Sequence, residues 1–188
     1  MAFIVVYDAN VLYGNAVRDL FIRLARAKVV RAQWTDRILD EALGSLAAKR
    51  PDIAAEKIAQ LRQMIVTAVP DCRIEGYEPL VENLKLPDPD DRHVLAAAIR
   101  AGAQIIVTSN LKDFPDEYIA GWNIAAKSPD DFLLDLIDLD DRVVWGCVQE
   151  IAYSRRNPPE TAEDVLDELE RAGLVEAVAA LREGRRGA

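Results

Sequence analysis

Short apolar runs and longer segments with helical periodicity alternate along much of the chain. The runs at 3–7, 29–34 and 104–108 are rich in β-branched residues, which is typical of strands buried on both faces of a sheet. A weaker run at 122–126 predicts a fourth strand. Between the runs, apolar residues recur every three or four positions and predict amphipathic helices. Strands that alternate with helices at this spacing indicate a parallel, doubly wound α/β sheet.

The pattern becomes helical only after Ser128. We therefore expect residues 1–139 to form the α/β domain and residues 140–188 to form a helical C-terminal extension. The pair Pro158-Pro159 interrupts the helical pattern and predicts a hinge. We expect the helix before this pair to pack on the α/β domain. The part beyond Thr161 is then predicted to be a detachable regulatory or partner-binding element.

Composition and charge narrow the function classes only partly. A hydrophobic content of 51% suits one globular domain. The formal net charge of -9 argues against tight non-specific binding to phosphate backbones. Carboxylates gathered in one cleft would still bind divalent cations, which reverse the local sign of the charge.

Cysteine usage and hydropathy argue for a plain intracellular protein. Cys72 and Cys147 stand apart and lack the spacing of a zinc site, so we expect free thiols. No apolar run reaches the roughly 20 residues that a membrane span needs. The apolar start lacks a basic leader and a cleavage site. We therefore expect a soluble, cytoplasmic protein without a membrane partner.

Acidic residues stand where a parallel sheet places functional groups. Asp8 directly follows the first strand, and Asp113 follows the strand that ends near Thr108. Ligands of open α/β sheets bind beyond the carboxyl ends of strands. Asp91 begins a helix, where a carboxylate is favoured by the helix dipole. Glu41 lies at the rim of the apolar stripe of its helix.

These acids predict a metal site. Carboxylates brought this close repel one another, and a hard divalent cation such as Mg²⁺ or Mn²⁺ relieves the repulsion. Each acid also has a structural alternative. Asp91 can be a helix cap, Asp113 can belong to a turn, and Glu41 can decorate a helix flank. Asp8 is harder to explain in this way, because a charge at the end of an apolar strand is costly unless it is functional or paired.

Three segments carry a family resemblance, namely VYDANVL at 6–12, LPDPDDRHVLAAA at 86–98 and IVTSNLKDF at 106–114. With these segments the chain resembles the PIN-domain family, specifically its toxin-like branch related to VapC. The resemblance implies a three-layer α/β/α sandwich around a parallel sheet. It also implies cleavage of single-stranded RNA that depends on Mg²⁺ or Mn²⁺, and the role of toxin in a toxin–antitoxin pair. A cognate antitoxin and a homodimer are further expectations.

The resemblance also assigns site residues. Asp8, Glu41, Asp91 and Asp113 match the four acids of the family in that order, and are therefore the expected catalytic and metal-binding residues. Asp90 adjoins the third acid and is a further candidate ligand, since the double acid leaves that position open. The family pattern also has a polar residue near the metal, and Asn110 matches it.

Two alternatives remain beside this interpretation. A haloacid-dehalogenase-like phosphatase also carries an Asp after its first strand, but Asn10 stands where its second Asp is expected. A catalytically inactive PIN interaction module is the non-enzymatic alternative, and the complete set of acids argues against it. The RNA target, the number of metal ions and the existence of an antitoxin stay open.

Two basic features have ordinary structural explanations. His93 is the single histidine of the chain, and we expect a surface or capping role for it rather than that of a general base. A basic side on the first long helix and its exit is expected to be a solvated face, with an RNA-binding groove wall as the alternative. Its residues are Arg18, Arg23, Arg26, Lys28 and Arg31.

Overall fold

The β-branched runs of the sequence form the strands of one parallel sheet. The computed structural model describes residues 3–186, with side chains as far as residue 184. Its sheet has the strand order β2-β1-β3-β4, and every neighbouring pair is parallel. The strands are β1 (Phe3–Tyr7), β2 (Val30–Gln33), β3 (Ile105–Val107) and β4 (Ala125–Lys127).

Strand boundaries differ from the sequence-based expectation at their ends. The second and third strands are each shorter by one residue at either end than the apolar runs at 29–34 and 104–108. The fourth strand begins only at Ala125, because the preceding segment forms a 3-10 turn, Ala120–Trp122, and Asn123 then adopts a left-handed conformation with φ 57°. The apolar run therefore predicts that a strand is present, but not the residue at which the strand begins.

Helices occupy the segments between the strands and the whole C-terminal part. They are α1 (Ala9–Tyr13), α2 (Asn15–Arg26), α3 (Asp36–Lys49), α4 (Ala55–Ala68), α5 (Glu78–Val81), α6 (Arg92–Ala101), α7 (Asp116–Ile119), α8 (Pro129–Ser154), α9 (Ala162–Arg171) and α10 (Val175–Arg186). Two further 3-10 turns, Pro89–Asp91 and Leu111–Asp113, lie directly before α6 and after β3. No helix among the described residues has the length and apolar character that crossing a membrane requires.

The strand order places helices on both faces of the sheet. From β1 the chain runs outward to β2 through α2, and it then returns past β1 to β3 through α6. Since such crossovers are right-handed, the reversal of direction puts α2 and α6 on opposite faces. Helix α8 packs on α2 and shares its face. The predicted three-layer α/β/α sandwich with a C-terminal helical part is confirmed.

The C-terminal helices share one hydrophobic core with the sheet. Helix α8 changes direction at Asp140, whose backbone is extended and whose carboxylate accepts a hydrogen bond from the N–H of Val143. The predicted division between residues 139 and 140 thus coincides with a kink. Helices α9 and α10 pack on α8 and bury Val165, Leu166, Leu169, Leu174, Ala177, Val178 and Leu181. This packing argues against a detachable terminal element.

Candidate functional site

The candidate site lies at the carboxyl edge of the sheet, between β1 and β3. Strand order reverses at this point, since β1 has β2 on one side and β3 on the other. Such a reversal opens a crevice in which open α/β sheets bind ligands. Asp8 follows β1 directly, and its N–H donates a hydrogen bond of 3.0 Å to the carbonyl oxygen of Val107 in β3. Asp8 is therefore fixed at the bottom of the crevice.

The Asp8 carboxylate is buried and accepts three hydrogen bonds. Only 5% of the residue is exposed. Oδ1 accepts a hydrogen bond from the N–H of Ala9, and Oδ2 accepts one from Nδ2 of Asn10 and one from the hydroxyl of Thr108, each of 2.7 Å. Burial raises the pKa of Asp8 even though these bonds favour the ionised form. Asp8 therefore caps α1 as well as contributing charge to the site.

Asp91 lies in the middle of the acidic groups. Burial, followed by the charges of Asp8, Asp88 and Asp113, raises its pKa to about 6. Its Oδ2 atom is buried and receives no hydrogen bond from the described residues. Carboxylate oxygens of Asp88, Asp91 and Asp113 all lie within 4.8 Å of one another. We call these three residues the carboxylate cluster.

Polar side chains from the ends of β1 and β3 hold the loop that carries Asp113. Asn10 accepts a hydrogen bond of 2.9 Å from the N–H of Ser109, and Thr108 accepts one of 3.0 Å from the N–H of Asn110. The side-chain amide of Asn110 in turn donates to the carboxylate of Asp113. The polar position that the resemblance placed near the metal is therefore in contact with an acid of the cluster.

Glu41 is held by Arg37 and His93 instead of joining the carboxylate cluster. Its carboxylate lies 3.0 Å from Nε of Arg37 and 3.2 Å from Nε2 of His93. Burial alone would raise the pKa of Glu41, but the hydrogen bond and charge of His93, followed by those of Arg37, outweigh it and lower the pKa. The expected surface position of His93 is wrong, because only 2% of the residue is exposed. His93 lies in α6, two residues after Asp91. Its contact with Glu41 therefore connects Glu41 to the segment that carries Asp91.

The three acids of the Asp-Pro-Asp-Asp segment differ in whether they belong to the carboxylate cluster. Asp88 and Asp90 are both exposed, but Asp88 belongs to the cluster with Asp91 and Asp90 lies outside it. The family resemblance and the spacing of the acids assigned no role to Asp88. The signal that could have found it is its position three residues before Asp91, which one 3-10 turn brings to the same side.

The donor set of the cluster fits a hard divalent cation. Such ions prefer carboxylate oxygens, and three are available within one cation-sized space. Like charges at this distance are costly unless a cation lies among them. The unpartnered oxygen of Asp91 is a further indication, because a buried acceptor is normally satisfied.

The basic residues of the first long helix lie away from this site. Arg18 is buried, against the expectation of a solvated face, and its guanidinium binds the carbonyl oxygens of Leu12 and Tyr13. Arg26 and Lys28 are exposed but lie in the connection that enters β2 at its amino end. Since the strands are parallel, that is the opposite edge of the sheet from the acids.

One curated protein is similar to about half of this chain. The curated protein described as "Putative ribonuclease VapC50" from Mycobacterium tuberculosis is 46% identical over 94 residues, which cover 50% of this chain and 55% of the relative. The match thus spans about half the length of that relative. No solved structure matches the chain significantly.

Two family profiles divide the chain between them. The profile described as the VapC50 C-terminal domain matches residues 129–183, which include the kinked helix α8 and most of the terminal helices. The profile described as PIN domain matches residues 4–112. That match covers more than half of the chain and includes the strands β1, β2 and β3 with Asp8, Glu41 and Asp91, so this chain belongs to the PIN-domain family, in its VapC-related branch.

Proposed function

We propose that this protein is a Mg²⁺- or Mn²⁺-dependent endoribonuclease that cleaves single-stranded RNA. The observation that carries the proposal is the carboxylate cluster around the unpartnered Oδ2 of Asp91, at the edge where strand order reverses. The name of the VapC50 relative supplies the substrate class. Membership of the PIN-domain family removes the haloacid-dehalogenase-like phosphatase as an alternative.

The acids would divide the work according to their surroundings. Asp8, Asp91 and Asp113 would hold the cation, with Asp8 kept in place by Thr108 and Asn10. A bound divalent cation would polarise the scissile phosphate and offset its negative charge. Glu41, kept ionised by His93 and Arg37, would orient an attacking water molecule by accepting its hydrogen bond. We leave Asp90 out of this set because it lies outside the cluster.

Substrate and partners follow from the same proposal. Lys112 and Arg92 are each next in sequence to an acid of the cluster, and their cationic groups would contact RNA phosphates. The relationship to VapC50 supports the further proposal that this chain is the toxin of a toxin–antitoxin pair, with a cognate antitoxin protein as its partner. A homodimer and a cytoplasmic location stay predictions.

The test is cleavage of a labelled RNA of mixed sequence, single-stranded or annealed to its complement. Wild type is expected to cut the single strand with Mg²⁺ or Mn²⁺ and to be inactive in EDTA. The Asp91→Asn variant should lose activity, while Asp90→Asn, the same change at the exposed neighbour, should keep it. Equal cleavage in EDTA would refute the metal mechanism, and inactivity of wild type with every metal would favour the interaction module.

A further inference from the structure

Asp88 lies in the carboxylate cluster although the family resemblance assigns it no role. We propose that Asp88 is a direct ligand of the divalent cation, in addition to the acids that the resemblance predicts. This inference rests on the proposed function, because it names a ligand of the same metal. Its basis is the distance of at most 4.8 Å between the oxygens of Asp88, Asp91 and Asp113.

The two oxygens of Asp88 have different surroundings. Oδ1 accepts a hydrogen bond of 2.9 Å from the N–H of Asp90 and so caps the 3-10 turn Pro89–Asp91. That is the one hydrogen bond that the described residues give to this carboxylate. Oδ2 is therefore left to bind another group, and the cap on Oδ1 limits the orientations in which it can do so.

The backbone around Asp88 restricts the side chain further. Pro89 fixes its own φ and confines the residue before it to extended conformations. Asp88 has φ -99° and ψ 117°, which agrees with this restriction. The loop thus presents a carboxylate to Asp91 with little conformational freedom left to lose when a cation binds.

Glu41 is less free than Asp88 to bind a cation, so the site gains from a further ligand. Arg37 forms an ion pair with its carboxylate and Nε2 of His93 lies 3.2 Å from it, so that Glu41 has less to offer a cation than an unpaired carboxylate. Asp88 has no cationic partner among the described residues. Asp88 therefore supplies the cation with negative charge that Glu41 does not supply, because Glu41 is already bound by Arg37 and His93.

The test compares Asp88→Asn with Asp90→Asn in the full chain. Asparagine is as good a cap as aspartate, so the first change keeps the 3-10 turn and removes only the ligand charge. The second change removes the same charge from Asp90, which is two residues away, is also exposed and lies outside the cluster. Mn²⁺ binding is measured by calorimetry and by the electron paramagnetic resonance of free Mn²⁺, with circular dichroism in EDTA as the check on folding.

We expect Asp88→Asn to weaken Mn²⁺ binding about tenfold or more, and Asp90→Asn to change it less than about twofold. Should Asp88→Asn fold poorly, Asp88→Ser retains a capping oxygen and must give the same loss of binding. If wild type binds Mn²⁺ and the two Asn variants bind it equally well, the inference is wrong while the proposed function stands. If wild type binds no Mn²⁺, both are wrong.

Discussion

The hydroxyl of Thr108 donates a hydrogen bond of 2.7 Å to Oδ2 of Asp8, and its surroundings fix the direction of that bond. The Thr108 oxygen already accepts hydrogen bonds from Nδ2 of Asn10 and from the N–H of Asn110. Its single proton must therefore point to Asp8. The buried position at the end of β1 consequently requires two acceptor oxygens, which aspartate has and asparagine lacks.

The first prediction is that Asp8→Asn lowers stability as well as abolishing cleavage. In either orientation, the amide NH₂ of asparagine faces a donor, which is Ala9 N–H on one side and Thr108 with Asn10 on the other. Leaving a buried donor unsatisfied costs about 1–3 kcal/mol. Denaturant unfolding in EDTA should show this loss. An unchanged or higher unfolding free energy would mean that relief of charge repulsion dominates.

The second prediction is the opposite effect at Asp91. Its Oδ2 receives no hydrogen bond in the described part of the chain, and three carboxylates surround it. In Asp91→Asn an amide donor replaces this charge, which should raise the melting temperature of the metal-free protein at pH 8 by about 2–4 °C, or roughly 1 kcal/mol. The same change should abolish Mn²⁺ binding. A lower melting temperature in EDTA would contradict the electrostatic account of the cluster.

The third prediction concerns how the stability gained in Asp91→Asn depends on pH. The pKa of Asp91 rises on folding from an ordinary 3.8 to about 6, so the folded state binds the proton more tightly. The stabilisation from this proton is present at low pH and is lost as the pH rises through about 6. The advantage of Asp91→Asn over wild type should therefore be large at pH 8, about half as large at pH 5 and small near pH 4. Thermal unfolding in EDTA across this range measures it, with Asp90→Asn as a control that shows no such trend.

The fourth prediction is that the pKa of Glu41 depends more on His93 than on Arg37. Burial raises this pKa, and the bond and charge of His93 are the largest influences that lower it. In His93→Ala the pKa of Glu41 should rise clearly, and in Arg37→Ala it should rise less. Carboxyl ¹³C chemical shifts followed against pH give both values. Equal values in wild type and His93→Ala would show that the two side chains do not interact in solution.

Sequence periodicity was sufficient to predict the sheet, because buried parallel strands need continuous β-branched runs that few other structures use. It was weaker at β4, Ala125–Lys127, where only partly covered alanine and lysine form the strand. Turn geometry decides where such a strand begins. The left-handed Asn123 that precedes it is visible only in the structure.

For the site, chain topology predicted which edge of the sheet carries acids, but neither the members of the carboxylate cluster nor what each acid contacts. Asp8 and Asp113 follow neighbouring strands, so topology alone brings them to one edge. The pairing of Glu41 with His93 depends on the packing of two helices that are far apart in sequence, which periodicity does not specify. Asp88 joins the cluster through one 3-10 turn, a conformation that leaves no periodic signal.

The terminal helices give the last prediction, which opposes the expectation of a detachable element. Asp130 in the first turn of α8 accepts hydrogen bonds from the N–H groups of Glu176 and Ala177, and so caps α10. Arg155 forms ion pairs with Glu160 and Glu168 across the proline pair. These contacts hold α9 and α10 against α8 from both ends.

A chain that ends after Asn157 should therefore be insoluble, or should melt more than about 10 °C below the full chain, since each large apolar side chain that loses its cover costs about 1.5–3 kcal/mol. The apolar residues buried in α9 and α10 are at most 1% exposed, and their removal uncovers the face of α8 on which these helices pack. A chain that ends after residue 184 keeps these buried residues and is the control. If the shorter chain is soluble and keeps the melting temperature and metal-dependent cleavage of the control, the terminal helices are detachable after all.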